Sequence, residues 1–258
     1  MPNFSARNSL RNLSQKPITI RNSAPEEFRL WFVDFVVQIG LCIDQFRTVV
    51  CQRTYSAKDP NNWSPNEYML EEIRQHILNA EWYYVYDVVE SVYINISRDK
   101  QEEYSSELNT FFESNGYGWK FNDGLVQYRG DEITENIISE ALESTSSAPT
   151  TNNELKEALK SLSRRPDADV TGAVQHSMAA LECFSRQKLG ESSSTLGDVI
   201  KRHRSELTSP LDIALEKLWG FASNNGRHIQ EGSTVEYEDA ELTLNVCFSL
   251  ISYLEKKI

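Results

Sequence analysis

The sequence lacks the features of a membrane or secreted protein. No apolar run approaches the ~20 residues that a membrane-spanning helix needs. The longest apolar-rich stretch, Phe28 to Leu41, is interrupted by Arg29, Asp34 and Gln38. The N-terminus also lacks the apolar segment of a secretory signal. We therefore expect a cytoplasmic protein that does not bind a membrane.

Cysteine is scarce and shows no metal-binding pattern. The four cysteines, Cys42, Cys51, Cys183 and Cys247, form no CxxC pair and no recognised metal-ligand spacing. Without an export signal they are expected to be reduced thiols rather than disulfides. The sequence thus predicts no zinc and no other cofactor.

Several catalytic motifs are missing as well. There is no GxxxxGK[ST] or GxGxxG loop for phosphate groups, no HExxH helix for zinc and no GxSxG nucleophile turn. These absences argue against ATPases, dinucleotide-dependent enzymes, zinc hydrolases and serine hydrolases.

Positive charge is in short supply. The chain has 26 basic and 38 acidic residues, which gives a net charge of −12. An acidic protein does not coat nucleic acid through bulk charge, so any RNA contact requires a local cluster. The first 17 residues contain basic but no acidic side chains, and we interpret residues 1–17 as a flexible basic arm.

What is present is mostly helical periodicity. Apolar residues recur at helical spacing from Phe28 to Ile39, from Trp82 to Ile96 and on the last segment from Ala240 to Leu254. One β feature interrupts this pattern, because Asp123 and Gly124 supply a tight turn between two short apolar runs near 119–128. The predicted fold class is mainly α, with two helical domains and a small β-hairpin in the first.

A change in composition marks a boundary between these domains. Residues 144–153 contain mostly Ser, Thr and Asn, with no charge and no large apolar side chain. Such a run is typical of a linker. We therefore predict a helical domain with the hairpin at 18–143, a linker at 144–153 and a helix bundle at 154–258.

The strongest candidate site lies between the last two predicted helices. Arg227 and His228 stand side by side between two glycines, and Glu231 follows. A guanidinium stabilises charge on a phosphate, and an imidazole transfers protons near neutral pH. Metal-free RNA cleavage needs both groups. The alternative is a loop in which Arg227 pairs with Glu231 and His228 bonds to the backbone.

Other polar residues are candidates for supporting roles. Glu182 is either an orienting carboxylate or the partner of Arg186, four residues further along its helix. His176 is interpreted as a structural, hydrogen-bonded histidine. Candidates for substrate binding are Lys217, Asn224 and Asn225. The basic run from Lys201 to Arg204 either touches RNA or is a solvated helix end.

Several strings resemble a known family. Ile18 to Asn22, Ala24 to Glu27, Asp59 to Ser64 and Ala80 to Asp87 are similar to the N-terminal domain of AbiJ-type abortive-infection proteins. Leu162 to Pro166, Asp169 to Ala173, Ala179 to Cys183, Lys217 to Ser223 and Gly226 to His228 resemble the HEPN-like C-terminal domain of abortive-infection proteins.

The resemblance implies bacterial phage defence by a helical domain that often dimerises. In the active HEPN family an Arg-x(4–6)-His motif cleaves RNA without metal, but here the three positions where that arginine would stand are Phe221, Ala222 and Ser223. Two functions therefore stay open. One is a metal-independent ribonuclease; the other is a non-catalytic HEPN-like module that dimerises and binds RNA, nucleotide or a protein. Expected partners are RNA, a second copy and a phage or defence-system protein.

Overall fold

The described part of the chain is mainly helical and divides into two units. The computed structural model describes residues 16–62, 66–191, 193–223 and 235–258. Within them are eleven α-helices and one two-stranded antiparallel sheet. Two compact units are present, Met1–Arg129 and Gly130–Ile258. The predicted fold class, a mainly α protein with one hairpin, is confirmed.

The first unit contains five α-helices and the hairpin among its described residues. Gly40 ends the first helix with a φ of 95°, a conformation that glycine adopts without strain. Asp123 and Gly124 make the predicted hairpin turn, with φ values of 50° and 82°. The bounds are α1 Glu26–Ile39, α2 Ile43–Arg53, α3 Asn66–Asn79, α4 Trp82–Asn95, α5 Gln101–Asn115, β1 Trp119–Asn122 and β2 Leu125–Tyr128.

Aromatic side chains fill the core of this unit. Phe28 of α1 is fully buried, and its ring centroid lies between 5.5 and 6.1 Å from those of six neighbouring rings. These neighbours come from α1, from α4 and from the end of α5 and the residues that follow it. One large apolar surface therefore joins elements that are distant in sequence.

A buried arginine fixes the end of α3. The Arg29 guanidinium donates hydrogen bonds to the carbonyl oxygens of Ala24 at 2.5 Å, Ala80 at 2.8 Å and Ile77. The last carbonyls of a helix have no partner within it and carry partial negative charge. Arg29 supplies both the missing donors and the compensating charge. Burial lowers the pKa of Arg29.

The second unit is a bundle of six α-helices in its described residues. Its core consists mainly of aliphatic residues from the two longest helices, together with Leu155 and Leu162 of the helix before them. The bounds are α6 Glu132–Ser144, α7 Pro149–Ser163, α8 Val170–Leu189, α9 Leu196–Arg202, α10 Leu211–Ala222 and α11 Tyr237–Lys257.

The structure differs from the linker expected at 144–153. Helix α7 already begins at Pro149, and Thr145 is buried. Asn152 donates hydrogen bonds to the Leu142 carbonyl at 3.0 Å and to the Thr145 hydroxyl at 2.9 Å. Thr145 and Asn152 therefore tie the end of α6 to the start of α7, whereas other polar residues of the run, such as Ser146 and Ser147, are exposed.

The N-terminal arm and the absence of a membrane-spanning helix were also predicted from the sequence. Most of the predicted basic arm, residues 1–15, lies outside the described residues, and Lys16 donates its backbone N–H to the Glu113 carbonyl at 3.3 Å. Among the described helices, none has the length and apolar character that a membrane span requires.

Candidate functional site

The second unit contains a pocket of about 470 Å³. Its wall combines one face of α8 with the start of α7, the start of α9 and the end of α10. The lining residues are Glu154, Val174, Gln175, His176, Met178, Ala179, Glu182, Leu196, Trp219, Ala222 and Ser223. The pocket thus offers an aromatic ring, an amide, two carboxylates and one imidazole.

A histidine–glutamate pair stands in the pocket wall. Nδ1 of His176 on α8 lies 2.7 Å from Oε2 of Glu154 on α7. The two side chains are 36% and 31% exposed, so the pair is half-buried and still accessible. A carboxylate at one ring nitrogen fixes the orientation and tautomer of an imidazole and leaves Nε2 for proton transfer. His176 is indeed hydrogen-bonded, as the sequence indicated, but it also lines a pocket.

Glu182 occupies the same wall in a different role. Its Oε1 pairs with Nη2 of Arg186 at 2.7 Å, and its Oε2 accepts the backbone N–H of Leu196 at 2.8 Å. The interpretation of Glu182 as the partner of Arg186 is confirmed. Arg186 in turn donates to the carbonyl of Ser194. This carboxylate therefore holds the start of α9 against α8.

The electrostatic character of the described wall is acidic. Glu154 and Glu182 contribute carboxylates, and no Lys or Arg is among the described lining residues. Lys217, a predicted substrate-binding residue, is exposed on α10 and does not line the pocket. A phosphate in this pocket would need positive charge from elsewhere.

The remaining candidates lie outside the described residues. These are the predicted catalytic residues Arg227, His228 and Glu231 and the predicted substrate-binding residues Asn224 and Asn225. The wall includes Ser223, which immediately precedes Asn224 in the chain.

The basic run near α9 is largely compensated by carboxylates. Arg202 and His203 both contact Glu191, at 2.9 and 3.1 Å, and Arg204 contacts Glu216 at 3.0 Å. The Ser194 hydroxyl, His203 and Arg202 together hold the pKa of Glu191 below its ordinary value. These pairs reduce the positive charge that the run presents to RNA.

The Glu154–His176 pair is not recognisable as a site from the sequence alone. The two residues are 22 positions apart on different helices, so no local motif joins them. The available signal was weaker: a glutamate and a histidine on two amphipathic helices that were both predicted to belong to one bundle.

Fold and site together define a two-unit helical protein with an accessible histidine–carboxylate pair in its second unit. The family model of the AbiJ N-terminal domain 4 matches residues 2–144, which is more than half of the chain. The chain belongs to this family, and the family connects it to abortive infection, a form of anti-phage defence. Neither a curated protein nor a solved structure matches the chain.

Proposed function

We propose that this abortive-infection protein is an effector that cleaves RNA without a metal ion in the pocket of its second unit. The observation that carries the proposal is the half-buried Glu154–His176 pair, 2.7 Å apart in the wall of a 470 Å³ pocket. The proposal includes a HEPN-like identity and a homodimer for this unit, on the basis of the sequence resemblance.

His176 is the proposed general base. Glu154 holds Nδ1, and Nε2 removes the proton of a ribose 2′-hydroxyl, whose oxygen then attacks the neighbouring phosphorus. The bond to the 5′-oxygen breaks, leaving a 2′,3′-cyclic phosphate and a 5′-hydroxyl. Arg227 stabilises the charge on the phosphate oxygens, and His228 donates the proton that the leaving oxygen takes up. Glu231 is the proposed partner of His228.

The acidic wall sharpens the role of Arg227. Because the described lining has two carboxylates and no Lys or Arg, binding of a phosphodiester requires a cation close to the pocket. Glu182 is not the orienting group in this mechanism, since Arg186 and the Leu196 N–H already engage it. Lys217 is exposed on α10 and does not line the pocket. We therefore assign it only a contact with RNA outside the pocket.

The second candidate is a non-catalytic module that binds RNA, nucleotide or a protein. The acidic lining and the absence of an arginine at the spacing of the active HEPN motif favour it. In that case the histidine–glutamate pair stabilises the contact between α7 and α8 and does not transfer protons.

One experiment separates these functions. Wild type, Arg227→Ala, His228→Ala and the control Arg204→Ala are expressed, and growth arrest is measured together with cleavage of total RNA in EDTA. Arg204 is an exposed arginine of the same unit that is paired with Glu216. We expect cleavage by wild type and Arg204→Ala and its loss in the other two, at unchanged circular dichroism. Wild-type protein that leaves RNA intact, also in phage-infected cells, overturns the enzyme in favour of the binding module.

A further inference from the structure

Three potential metal ligands meet in the first unit, far in sequence from the pocket of the second. Cys51 is in the last turns of α2, and Glu72 and His76 are one turn apart on the same side of α3. The sulfur, one carboxylate oxygen and one imidazole nitrogen all lie within 4.8 Å of one another. In a tetrahedral zinc site, neighbouring ligand atoms are about 3.3–3.7 Å apart, as the bond lengths require. Metal binding therefore requires the Cys51 and His76 side chains to rotate towards Glu72.

The imidazole of His76 has an unsatisfied nitrogen at this cluster. Its Nε2 is buried and has no hydrogen-bond partner among the described residues. The nearest carboxylate oxygen, Oε1 of Glu72, lies 3.6 Å away, which is too long for a hydrogen bond. A buried polar atom without a hydrogen-bond partner destabilises the folded state. A cation bound at this nitrogen would remove that cost.

Glu72 is held in place by three donors. Arg47 contacts Oε2 at 2.6 Å, the backbone N–H of Asp59 donates to Oε1 at 2.9 Å and the Asn62 amide donates at 2.5 Å. Hydrogen bonds of this kind orient the ligands of metal sites and are as much a part of such sites as the ligands themselves. They also leave Glu72 with little freedom to move away from Cys51 and His76.

Of the three residues of the cluster, Glu72 lies next to an opening to solvent. This residue also lines an open depression of about 580 Å³ whose other lining residues include the acidic Asp59 and Glu71. The carboxylates favour the approach of a cation. The depression also admits water, which can occupy a fourth coordination position.

We propose that Cys51, Glu72 and His76 bind Zn²⁺ or a divalent transition-metal ion of similar ligand preference, with a water molecule as the fourth ligand. Sulfur, nitrogen and oxygen donors together suit Zn²⁺, whereas Ca²⁺ and Mg²⁺ prefer oxygen ligands alone. The ion cross-links α2 to α3 and so stabilises the first unit. This site is independent of the proposed ribonuclease, which uses no metal.

The test uses the full, tag-free chain, reduced with a phosphine and stripped of metal. Co²⁺ is titrated as the spectroscopic probe and Zn²⁺ as the competitor. Wild type should bind one equivalent of Co²⁺ with the near-ultraviolet absorption of a thiolate–cobalt bond, and Zn²⁺ should displace it. Zn²⁺ should also raise the melting temperature of wild type.

Three variants locate the site. Cys51→Ser should abolish the thiolate–cobalt absorption. His76→Gln should weaken Zn²⁺ binding by at least about 10-fold, because even the loss of a residue that only orients a ligand costs about 10–100-fold in metal affinity. Cys42→Ser is the matched control, because Cys42 is an exposed cysteine of the same unit. It should bind like wild type.

Two results overturn the proposal. One is wild-type protein that takes up neither ion. The other is binding that Cys51→Ser and His76→Gln both leave unchanged, which would place the ion elsewhere. If Cys51→Ser fails to fold by circular dichroism, His76→Gln decides, since its imidazole is more exposed than the Cys51 thiol.

Discussion

The two units hold their helices in place by different means. In the first, α1, α2, α4 and α5 all begin without a side-chain hydrogen bond at the N-cap, and an aromatic core and buried arginines fix their positions. In the second, α6, α8 and α9 begin with hydrogen-bonded caps at Asp131, Asp169 and Thr195, whereas α7, α10 and α11 begin without one. Long-range packing therefore defines the first unit, and local capping contributes more to the second.

This difference matters for function. A unit fixed by packing can hold Cys51, Glu72 and His76, which come from two helices, in a constant geometry. We expect mutations in the core of the first unit to have larger effects on stability than mutations at the helix caps of the second.

The largest expected effect is the loss of the central aromatic ring in the first unit. Phe28→Ala removes a fully buried ring that contacts six others and should lower the free energy of unfolding by about 3–5 kcal/mol. Leu30→Ala, two residues away on the exposed side of α1, is the control and should change it by less than about 0.5 kcal/mol. Urea unfolding measures both. Equal effects would show that the core is not organised around Phe28.

The next effect concerns the arginine at the end of α3. Arg29→Met leaves the carbonyls of Ala24, Ile77 and Ala80 without this donor and should cost roughly 2–4 kcal/mol. Arg74→Met removes an exposed ion pair with Asp34 and should cost less than about 1 kcal/mol. A cost for Arg29→Met no greater than that for Arg74→Met would contradict the role assigned to the buried guanidinium.

A smaller effect is expected at a helix cap of the second unit. The Asp169 carboxylate accepts the Gly172 N–H at 2.8 Å, so Asp169→Ala should lower stability by about 1 kcal/mol, whereas Asp169→Asn keeps most of the cap. Asp167→Ala, in the exposed turn just before, is the control. If thermal unfolding of the three variants is the same, local capping does not distinguish this unit.

The smallest effect depends on pH. Burial raises the pKa of Glu90 on α4, and the Val126 N–H, which Glu90 accepts at 2.8 Å, offsets this only in part. Because the folded pKa lies above the unfolded one, the folded carboxyl holds its proton more tightly, and stability falls as the pH rises through the folded pKa. Glu90→Gln keeps an oxygen acceptor for Val126 and loses the charge.

Glu90→Gln should therefore raise the urea midpoint at neutral pH, and the gain should shrink as the pH falls towards the ordinary carboxyl pKa. A variant that is less stable than wild type at neutral pH would show that the charge of Glu90 is favourable in the folded state.

Much of the fold was predictable from local sequence signals. The period of the apolar residues located α1, α4 and α11, and Asp123–Gly124 located the hairpin, because these features depend on neighbouring residues alone. The start of α7 was not predictable in this way. The Ser, Thr and Asn residues before Glu154 are typical of a linker, and their hydrogen bonds to α6 form only in the folded structure. Propensity does not include such tertiary contacts.

The sites were less predictable. Glu182 and Arg186 could be paired from their spacing of four residues, whereas Glu154 and His176 meet only because α7 and α8 pack together. Likewise, Cys51 meets Glu72 and His76 only because α2 and α3 pack together. The spacing of Glu72 and His76 on one helix was a signal that a search for cysteine pairs overlooked.

The most direct test of the proposed active site compares two histidines of the second unit. His176 and His203 each contact a glutamate, at 2.7 and 3.1 Å, but only His176 lines the large pocket. The measurement is the rate of RNA cleavage in EDTA by His176→Gln and His203→Gln. We predict a loss of at least about 100-fold for His176→Gln, as expected when a general base is removed, and a wild-type rate for His203→Gln. Equal rates in the two variants would contradict the assignment of this pocket as the active site.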